Sequence, residues 1–182
     1  IPFTVGINNN PVQNAGVVVN QGLEVALGTQ GGNQGFSYDV SVNFATLDNE
    51  VTSLGAGQPI AGGGFGGADR FAPTRTEVGF PIGYFFGFQV DGIYNNENEI
   101  DRNFAPLAQP GDFRFRDVNG TDENGNIVPG PDGQLTDADR VFLGSPIPDF
   151  TYGLNVNLRY KAWDFNLFLQ GVQGNEIFST IK

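Results

Sequence analysis

Cysteine and histidine are both absent from the sequence. Without cysteine the chain has no disulfide, no zinc–thiolate site and no thiol nucleophile. Without histidine it lacks the commonest general base and metal ligand of enzymes. Because most familiar catalytic sites depend on one of these residues, we predict that the protein is not an enzyme.

Basic residues are scarce: the chain has 9 Lys and Arg against 20 Asp and Glu, a net charge of -11. Proteins that bind nucleic acid need a basic surface that neutralises phosphates, and this chain has few residues from which to build one. Nucleic acid is therefore not an expected partner.

Methionine is missing too, and no charged segment followed by an apolar one stands at the N-terminus. The chain has 182 residues, enough for one domain. The missing methionine nevertheless predicts that these residues are a piece of a longer protein.

Long apolar runs are the last absence, since no segment approaches the roughly 18 apolar residues of a membrane helix. A strand of a membrane barrel needs only about 9 to 11 residues of alternating character. The chain is instead rich in turn formers, with 27 Gly and 11 Pro, and 13% of its residues are aromatic. This composition predicts an all-β protein with long loops.

Strict alternation marks residues 149–174. Every second residue from Phe150 to Tyr160 is apolar, and those between are polar or glycine. After a short connection at 161–162 the pattern resumes at Trp163, with Phe168 as the exception on the polar face. Two strands joined this tightly form an antiparallel hairpin.

Two more hairpins are predicted upstream, at 22–48 and at 74–94 with its turn at 80–83. Long connections separate the hairpins, at 49–73 and at 95–148, the second of them acidic. Alternation of short and long connections is typical of a transmembrane barrel, although a soluble sandwich also alternates apolar and polar residues. Aromatic residues at the strand ends favour the barrel: Phe36, Tyr94, Phe150, Tyr160 and Trp163. We therefore predict antiparallel up-and-down strands that form part of a transmembrane β-barrel.

A candidate calcium site lies in the acidic loop. DVNG at 117–120 and DGQLTDAD at 132–139 resemble an EF-hand loop that is split by an insertion at 121–131, and Asp139 stands where that loop has a bidentate Glu. The alternative is a solvated acidic loop that uses Asx-turns. The predicted Ca²⁺ ligands are Asp117, Asn119, Asp132, Gln134, Asp137 and Asp139.

Aromatic residues in the predicted loops offer a second kind of site. They could stack on sugar rings or pack within the loops, and the sequence favours packing. These residues are Phe65, Phe71, Phe104, Phe113 and Phe115.

A family resemblance rests on five blocks that cover nearly the whole chain. They are NQGLEVAL, SYDVSVNFATLDNEVTSLG, TRTEVGFPIGYFFGFQVDGIY, PGDFRFRDVNG and TDADRVFLGSPIPDFTYGLNVNLRYKAWDFNLFLQGVQGNEIF. Together they resemble the SusC/RagA family of TonB-dependent outer-membrane transporters. The resemblance implies a barrel of about 22 strands around a plug domain. Residues 1–182 would be about six or seven late strands of that barrel, without the plug or the C-terminal strands, and 95–148 would be a long acidic extracellular loop.

The resemblance also implies a function and partners. Such a protein is a multi-pass barrel of the bacterial outer membrane, in contact with its lipid, that imports glycans or peptides together with a SusD-like surface lipoprotein. The TonB complex energises import through parts of the protein absent from this chain. The family usually carries an uninterrupted D-x-N-x-D-G block, and the insertion here departs from it.

The barrel hypothesis also predicts which segments lie on the periplasmic and extracellular sides of the membrane and which residues face the lumen. Turns near 31–35, 80–83 and 161–162 are predicted to face the periplasm, with 49–73 and 95–148 extracellular. Polar strand residues are predicted to face the lumen, where they line the wall or contact the plug. These are Asp39, Asn43, Gln89, Asp91, Asn155, Asn157, Arg159, Asp164, Asn166 and Gln170.

A different class of protein remains open from the sequence alone. The same pattern fits a soluble, calcium-stabilised β adhesion module or carbohydrate-binding module. Such a module would be monodisperse in buffer without detergent, whereas a barrel segment would expose an apolar face and aggregate.

Overall fold

The computed structural model describes residues 14, 16–55, 57–63 and 72–179. Within them the regular structure is almost all antiparallel strand, which confirms the predicted all-β class. Two 3-10 helices lie at Glu97–Glu99 and Asp137–Asp139. The strands are β1 Gly16–Gln21, β2 Glu24–Gly32, β3 Phe36–Thr46, β4 Asp48–Leu54, β5 Ile60–Gly62, β6 Thr74–Thr76, β7 Tyr84–Phe88, β8 Val90–Ile93, β9 Phe113–Phe115, β10 Asn119–Thr121, β11 Ile127–Pro129, β12 Arg140–Gly144, β13 Phe150–Tyr160 and β14 Trp163–Gln173.

Four long strands form the main sheet, in the order β2-β3-β13-β14. Both hairpins predicted within it are present, β2 with β3 and β13 with β14. Their turns lie side by side, since Lys161 N–H donates to the Gly35 carbonyl at 3.1 Å. Lys161 has φ 54°, the left-handed conformation that a two-residue hairpin turn requires. No helix among the described residues has the length and apolar character needed to cross a membrane.

The centre of the main sheet joins strands that are far apart in sequence. β3 pairs with β13 over eleven residues, from Phe36 opposite Tyr160 to Thr46 opposite Phe150. Residues 47–149 therefore leave the sheet at the end of β3 and return at the start of β13, and we call them the excursion. The two ends of the excursion are hydrogen-bonded to each other, since Leu47 N–H donates to the Asp149 carbonyl at 3.0 Å.

A two-stranded ribbon extends the first hairpin beyond the main sheet. β4 continues the direction of β3 and pairs with β1, with Gln21 opposite Asp48. At the junction the backbone of Gly22 lies so close to Thr46 that a Cβ atom would be 2.0 Å from the Thr46 carbonyl oxygen. Glycine is needed there because any side chain would clash with backbone.

The third predicted hairpin lies outside the main sheet, so the prediction that it continues the same series of strands as the other two hairpins is wrong. β6 and β7 pair through only two residue pairs, in a separate sheet ordered β12-β7-β6-β5. The turn at 80–83 packs on β4, where Val51 N–H donates to the Phe80 carbonyl at 2.9 Å. It therefore lies on the excursion side, opposite the turns at 33–35 and 161–162. Among the described residues the main sheet has four strands, and the six or seven strands of the barrel portion stay a prediction.

Buried side chains concentrate in the excursion. Asn49 and the fully buried Asp139 are its buried polar residues. No large apolar side chain of the main sheet is buried within the described part of the chain. The excursion thus has a core of its own, and among its described residues the buried hydrophobic side chains are Val51, Tyr84, Tyr94, Ile100 and Ala138, with Pro73 also buried.

Tyr84 is the centre of an aromatic cluster in the excursion. Its ring is 2% exposed and lies 4.9 Å from the Phe80 ring and 5.2 Å from the Phe142 ring, centroid to centroid. Its hydroxyl donates to the Glu77 carboxylate at 2.9 Å. Burial, together with that carboxylate, raises the pKa of Tyr84 to about 12, so the phenol stays protonated and keeps donating.

Candidate functional site

Eight of the ten predicted lumen residues lie on the polar face of the main sheet. The register places Asp39, Asn157 and Asn166 in one row across three strands. The next row toward the turns contains Arg159 beside Asp164, with Arg159 Nε donating to the carboxylate at 2.6 Å. The eight residues on this face are Asp39, Asn43, Asn155, Asn157, Arg159, Asp164, Asn166 and Gln170.

Gln30 belongs to the same face, although it is not among the predicted lumen residues. It pairs with Asp39, which extends the polar row onto β2. The signal was present, because Leu23, Val25 and Leu27 set the apolar face of that strand and Gln30 has the opposite parity.

Gln89 and Asp91 do not join this face, so their predicted grouping with the other eight is wrong. Gln89 lies between β7 and β8, and its carbonyl accepts from Arg116 N–H at 2.9 Å. Asp91 lies in β8, which pairs with β9 in a separate two-stranded sheet. Its carboxylate faces Arg114 at 3.6 Å. The error follows from the third hairpin, whose alternation resembles that of a barrel strand.

The opposite face of the main sheet is apolar and exposed. A central row runs from Leu27 through Val42 and Leu154 to Leu169. Leu27 is 69% exposed and Trp163 78% exposed. Water is an unfavourable surrounding for so large a contiguous apolar surface, which therefore needs another partner.

Aromatic side chains border this apolar face at both ends. Phe36, Tyr160 and Trp163 stand at the turn end, where Tyr160 pairs with both of the others. Phe44 and Phe150 stand at the excursion end, with their ring centroids 5.5 Å apart. The aliphatic side chains lie between these two bands.

Two tyrosines of the apolar face lie over glycines of neighbouring strands. The Tyr152 ring covers Gly171, where a Cβ atom would be 2.2 Å from the ring, and Tyr38 covers Gly31 at 2.8 Å. The glycines are needed for space, since each tyrosine ring occupies the position of a cross-strand side chain.

The split acidic loop is rejoined by a β-hairpin. β10 and β11 pair through Gly120 and Val128, so the insertion at 121–131 folds out as a separate unit. This brings Asp117 to the second half of the motif. Its two carboxylate oxygens accept from the backbone N–H groups of Asp132 at 3.1 Å and of Gly133 at 2.7 Å.

Asp139 holds the two halves of the motif together. Its carboxylate accepts from the backbone N–H groups of Val118 at 2.9 Å, Asn119 at 3.2 Å and Thr136 at 2.8 Å. Burial raises the pKa of this carboxyl, but the N–H donors lower it further, so the pKa lies below its ordinary value. The carboxylate is therefore ionised at neutral pH and acts as a structural acceptor.

Calcium binding by this loop remains a prediction. Asn119 donates its side-chain N–H to the Ala138 carbonyl at 2.9 Å, and Asp132 accepts from Gln134 N–H at 2.9 Å. Asp137 is exposed in the 3-10 helix. In the described part of the chain, no three His, Cys, Asp or Glu side chains are grouped so that they could hold a metal ion. The carboxylates of Asp117 and Asp139 accept from backbone amides, which satisfies them without a cation.

Three of the five predicted loop aromatics gather in one place. Phe104, Phe113 and Phe115 line an open groove of the excursion, of about 460 Å³. The Phe113 and Phe115 centroids are 6.5 Å apart. Phe65 and Phe71 lie outside the described residues.

Comparison with known proteins identifies the class. The chain is 31% identical over 185 residues to TonB-dependent receptor P3 and 30% identical over 190 residues to TonB-dependent receptor P26, both of Formosa agariphila. Each alignment covers 98% of this chain and 17% of the relative. No protein-family model matches the sequence. The chain belongs to the TonB-dependent receptors, and it spans about a sixth of the length of these relatives.

The fold agrees with solved structures of the same class. The structure of the RagAB peptide transporter matches with a TM-score of 0.63 at 20% identity, over 96% of this chain and 17% of that one. The RagAB peptide importer in its open-open state matches with a TM-score of 0.62 at 18% identity, over 96% of this chain and 16% of that one. The relatives are named as receptors and the solved structures as a transporter, in agreement with the non-enzymatic prediction.

Proposed function

We propose that the main sheet is four adjacent strands in the wall of a nutrient-importing TonB-dependent barrel in the bacterial outer membrane. The observation that carries this proposal is the pair of faces of one sheet. One face is continuous, apolar and exposed between two aromatic bands, and the other carries eight polar side chains in register. Lipid would cover the first face and a watery or plugged lumen the second.

The dimensions of the apolar face support a membrane span. Phe36 and Phe44 mark its two ends on β3 and are eight residues apart. Eight residues of antiparallel strand extend roughly 27 Å, which becomes about 20 Å across the membrane at a tilt of about 40°. The apolar band of outer-membrane barrels is about 25 Å tall, somewhat more than the distance between these two rings. The full eleven residues of β3, β13 and β14 extend about 26 Å at the same tilt, which is long enough to cross.

The excursion would stand outside the cell and the short turns at 33–35 and 161–162 would face the periplasm, as in barrels with short periplasmic turns. A layer with its own core at the mouth of the barrel is a suitable support for a SusD-like surface lipoprotein. The substrates would be glycans or peptides, and a peptide is the cargo named for the RagAB structures. The TonB complex would act through parts of the protein beyond this chain.

Membrane fractionation of the full-length receptor in its own bacterium tests this function. Outer membranes are isolated and extracted with mild detergent, and the proteins that co-purify are identified by mass spectrometry. We expect the receptor in the detergent fraction with a stoichiometric surface lipoprotein. Recovery from the aqueous fraction without detergent would contradict the barrel. Recovery in detergent without a lipoprotein would contradict the lidded importer alone.

A further inference from the structure

An apolar groove in the excursion has no role in the fold of the main sheet. Its walls are aromatic and aliphatic, and among the described residues that line it Asp112 is the only Asp, Glu, Lys or Arg. Tyr94 forms the buried floor, whereas Leu107 is 89% exposed and Phe113 54% exposed at the rim. A volume of about 460 Å³ is within the range of roughly 300 to 1,000 Å³ that is typical of ligand sites.

The loop that forms one wall of the groove is held in place by other residues. Arg102 donates to the carbonyls of Pro106 at 3.2 Å and Ala108 at 2.7 Å, and it pairs with Glu97. On the opposite wall, β9 carries Phe113 and Phe115 on one face and is paired only with β8 among the described residues. The groove is thus shaped by backbone contacts and leaves its aromatic side chains open to a ligand.

We propose that the groove binds an apolar side chain of a basic peptide during import, an inference that rests on the proposed function. A sugar needs several hydrogen-bonding groups around its hydroxyls, and this groove offers few. Apolar side chains match its walls. The free edge of β9 beside the groove suits the backbone of an extended peptide.

Charge selects a basic peptide over an acidic one. The excursion carries sixteen acidic and six basic residues, a net charge of -10. Asp112 stands at the groove itself, where one of its oxygens accepts from Gln109 N–H at 2.9 Å and the other remains for a cation. Arg102 of the adjoining loop is already paired with Glu97, and Arg114 on β9 faces the Asp91 carboxylate at 3.6 Å. The local field therefore attracts lysine and arginine side chains and repels carboxylates.

Calorimetric titration of the full-length receptor in detergent tests this site. The first probe is an N-acetylated, C-amidated hexapeptide of four apolar residues between two lysines, the second replaces the lysines by glutamates, and the third is a neutral hexasaccharide. We expect the lysine peptide to bind most tightly. Phe113→Ser should weaken it about tenfold, through the lost apolar contact. Asp112→Asn, which can still accept from Gln109, should reduce the preference for the lysine peptide by about two- to fivefold.

Ile127→Ser is the matched control, since Ile127 is 61% exposed on β11 and does not line the groove. It should leave peptide affinity unchanged. Equal affinity of Phe113→Ser and the unaltered receptor would overturn the site alone. Hexasaccharide binding that is abolished by Phe113→Ser would also overturn the proposed peptide site. Loss of the co-purified lipoprotein in Phe113→Ser, with peptide affinity unchanged, would overturn it too. Absence of peptide binding to the unaltered receptor would overturn the site and peptide import together.

Discussion

The main sheet and the excursion differ in how far their apolar side chains are buried. In the excursion Val51 and Tyr84 are buried within the chain itself, whereas in the main sheet Leu27 and Trp163 lie open along a continuous face. Both regions are antiparallel strand, so secondary structure does not explain the difference. A region that folds in water makes its own core, and a region whose apolar face remains open depends on another medium. The excursion has the first character and the main sheet has the character of a membrane wall.

A charged side chain introduced at the middle of the apolar face should reduce stability more than any other change considered. Leu154 lies between Val42 and Leu169, midway between the aromatic bands. We expect Leu154→Arg to destabilise the folded barrel by about 2 to 4 kcal/mol, because a guanidinium near the bilayer midplane is poorly solvated. Urea unfolding of the full-length receptor in lipid vesicles measures the change.

Asn155→Arg is the control for that substitution, since it sits at the same depth on the polar face. Its effect should be small. Equal destabilisation by the two arginines would remove the distinction between the faces of the main sheet.

Asp139 should matter most within the excursion. Asp139→Ala leaves three backbone N–H groups without their acceptor, which we expect to cost about 3 kcal/mol. Asp137→Ala changes an exposed residue of the same 3-10 helix and should be nearly neutral. Hydrogen exchange of the Val118 and Asn119 amides reports the local loss. Similar exchange in both variants would show that the carboxylate does not hold the motif together.

Acid should weaken the same motif. The folded pKa of Asp139 lies below its ordinary value. Its stabilising contribution is therefore complete above the ordinary pKa, near 4, and is lost as the pH falls through the lowered folded value. Protection of the Val118 and Asn119 amides should fall over that acidic range. In Asp139→Asn this pH dependence should be absent, and its persistence would assign it to another group.

The tyrosine–glycine contacts should give the smallest of these effects. Gly171→Ala places a methyl group against the Tyr152 ring, which we expect to cost about 1 to 2 kcal/mol. Gly28→Ala meets its nearest atom at 3.8 Å and should cost less. Urea unfolding in vesicles compares the two, and an equal loss would mean that the ring moves aside freely.

Much of the main sheet could be predicted because its information is local. The alternation from Phe150 to Gln173 fixes two strands, their turn and both faces, since a strand has a side-chain period of two in any context. The pairing of β3 with β13 could not be predicted in this way. This pairing joins strands that are separated by residues 47–149, so no local sequence pattern indicates it.

The errors in the excursion also arise because sequence patterns carry local information and do not specify contacts between distant residues. Pro81 and Gly83 correctly indicate a turn, but a turn signal does not say which sheet the turn belongs to. Asp139 was predicted as a calcium ligand, and calcium binding stays a prediction; in the structure its carboxylate accepts from backbone N–H groups. A carboxylate can be satisfied by a cation or by backbone N–H groups, and sequence spacing does not distinguish these partners.

The most direct test of the membrane wall is the accessibility of spin labels along β13. The chain has no cysteine, so Leu154→Cys, Asn155→Cys, Val156→Cys and Asn157→Cys each introduce one labelling site in this segment. In the full-length receptor in lipid vesicles, with any other cysteines replaced, collision with oxygen and with a water-soluble nickel chelate is measured at each site. The account predicts high oxygen and low nickel accessibility at 154 and 156, and the reverse difference at 155 and 157. Equal accessibility at all four positions would contradict it.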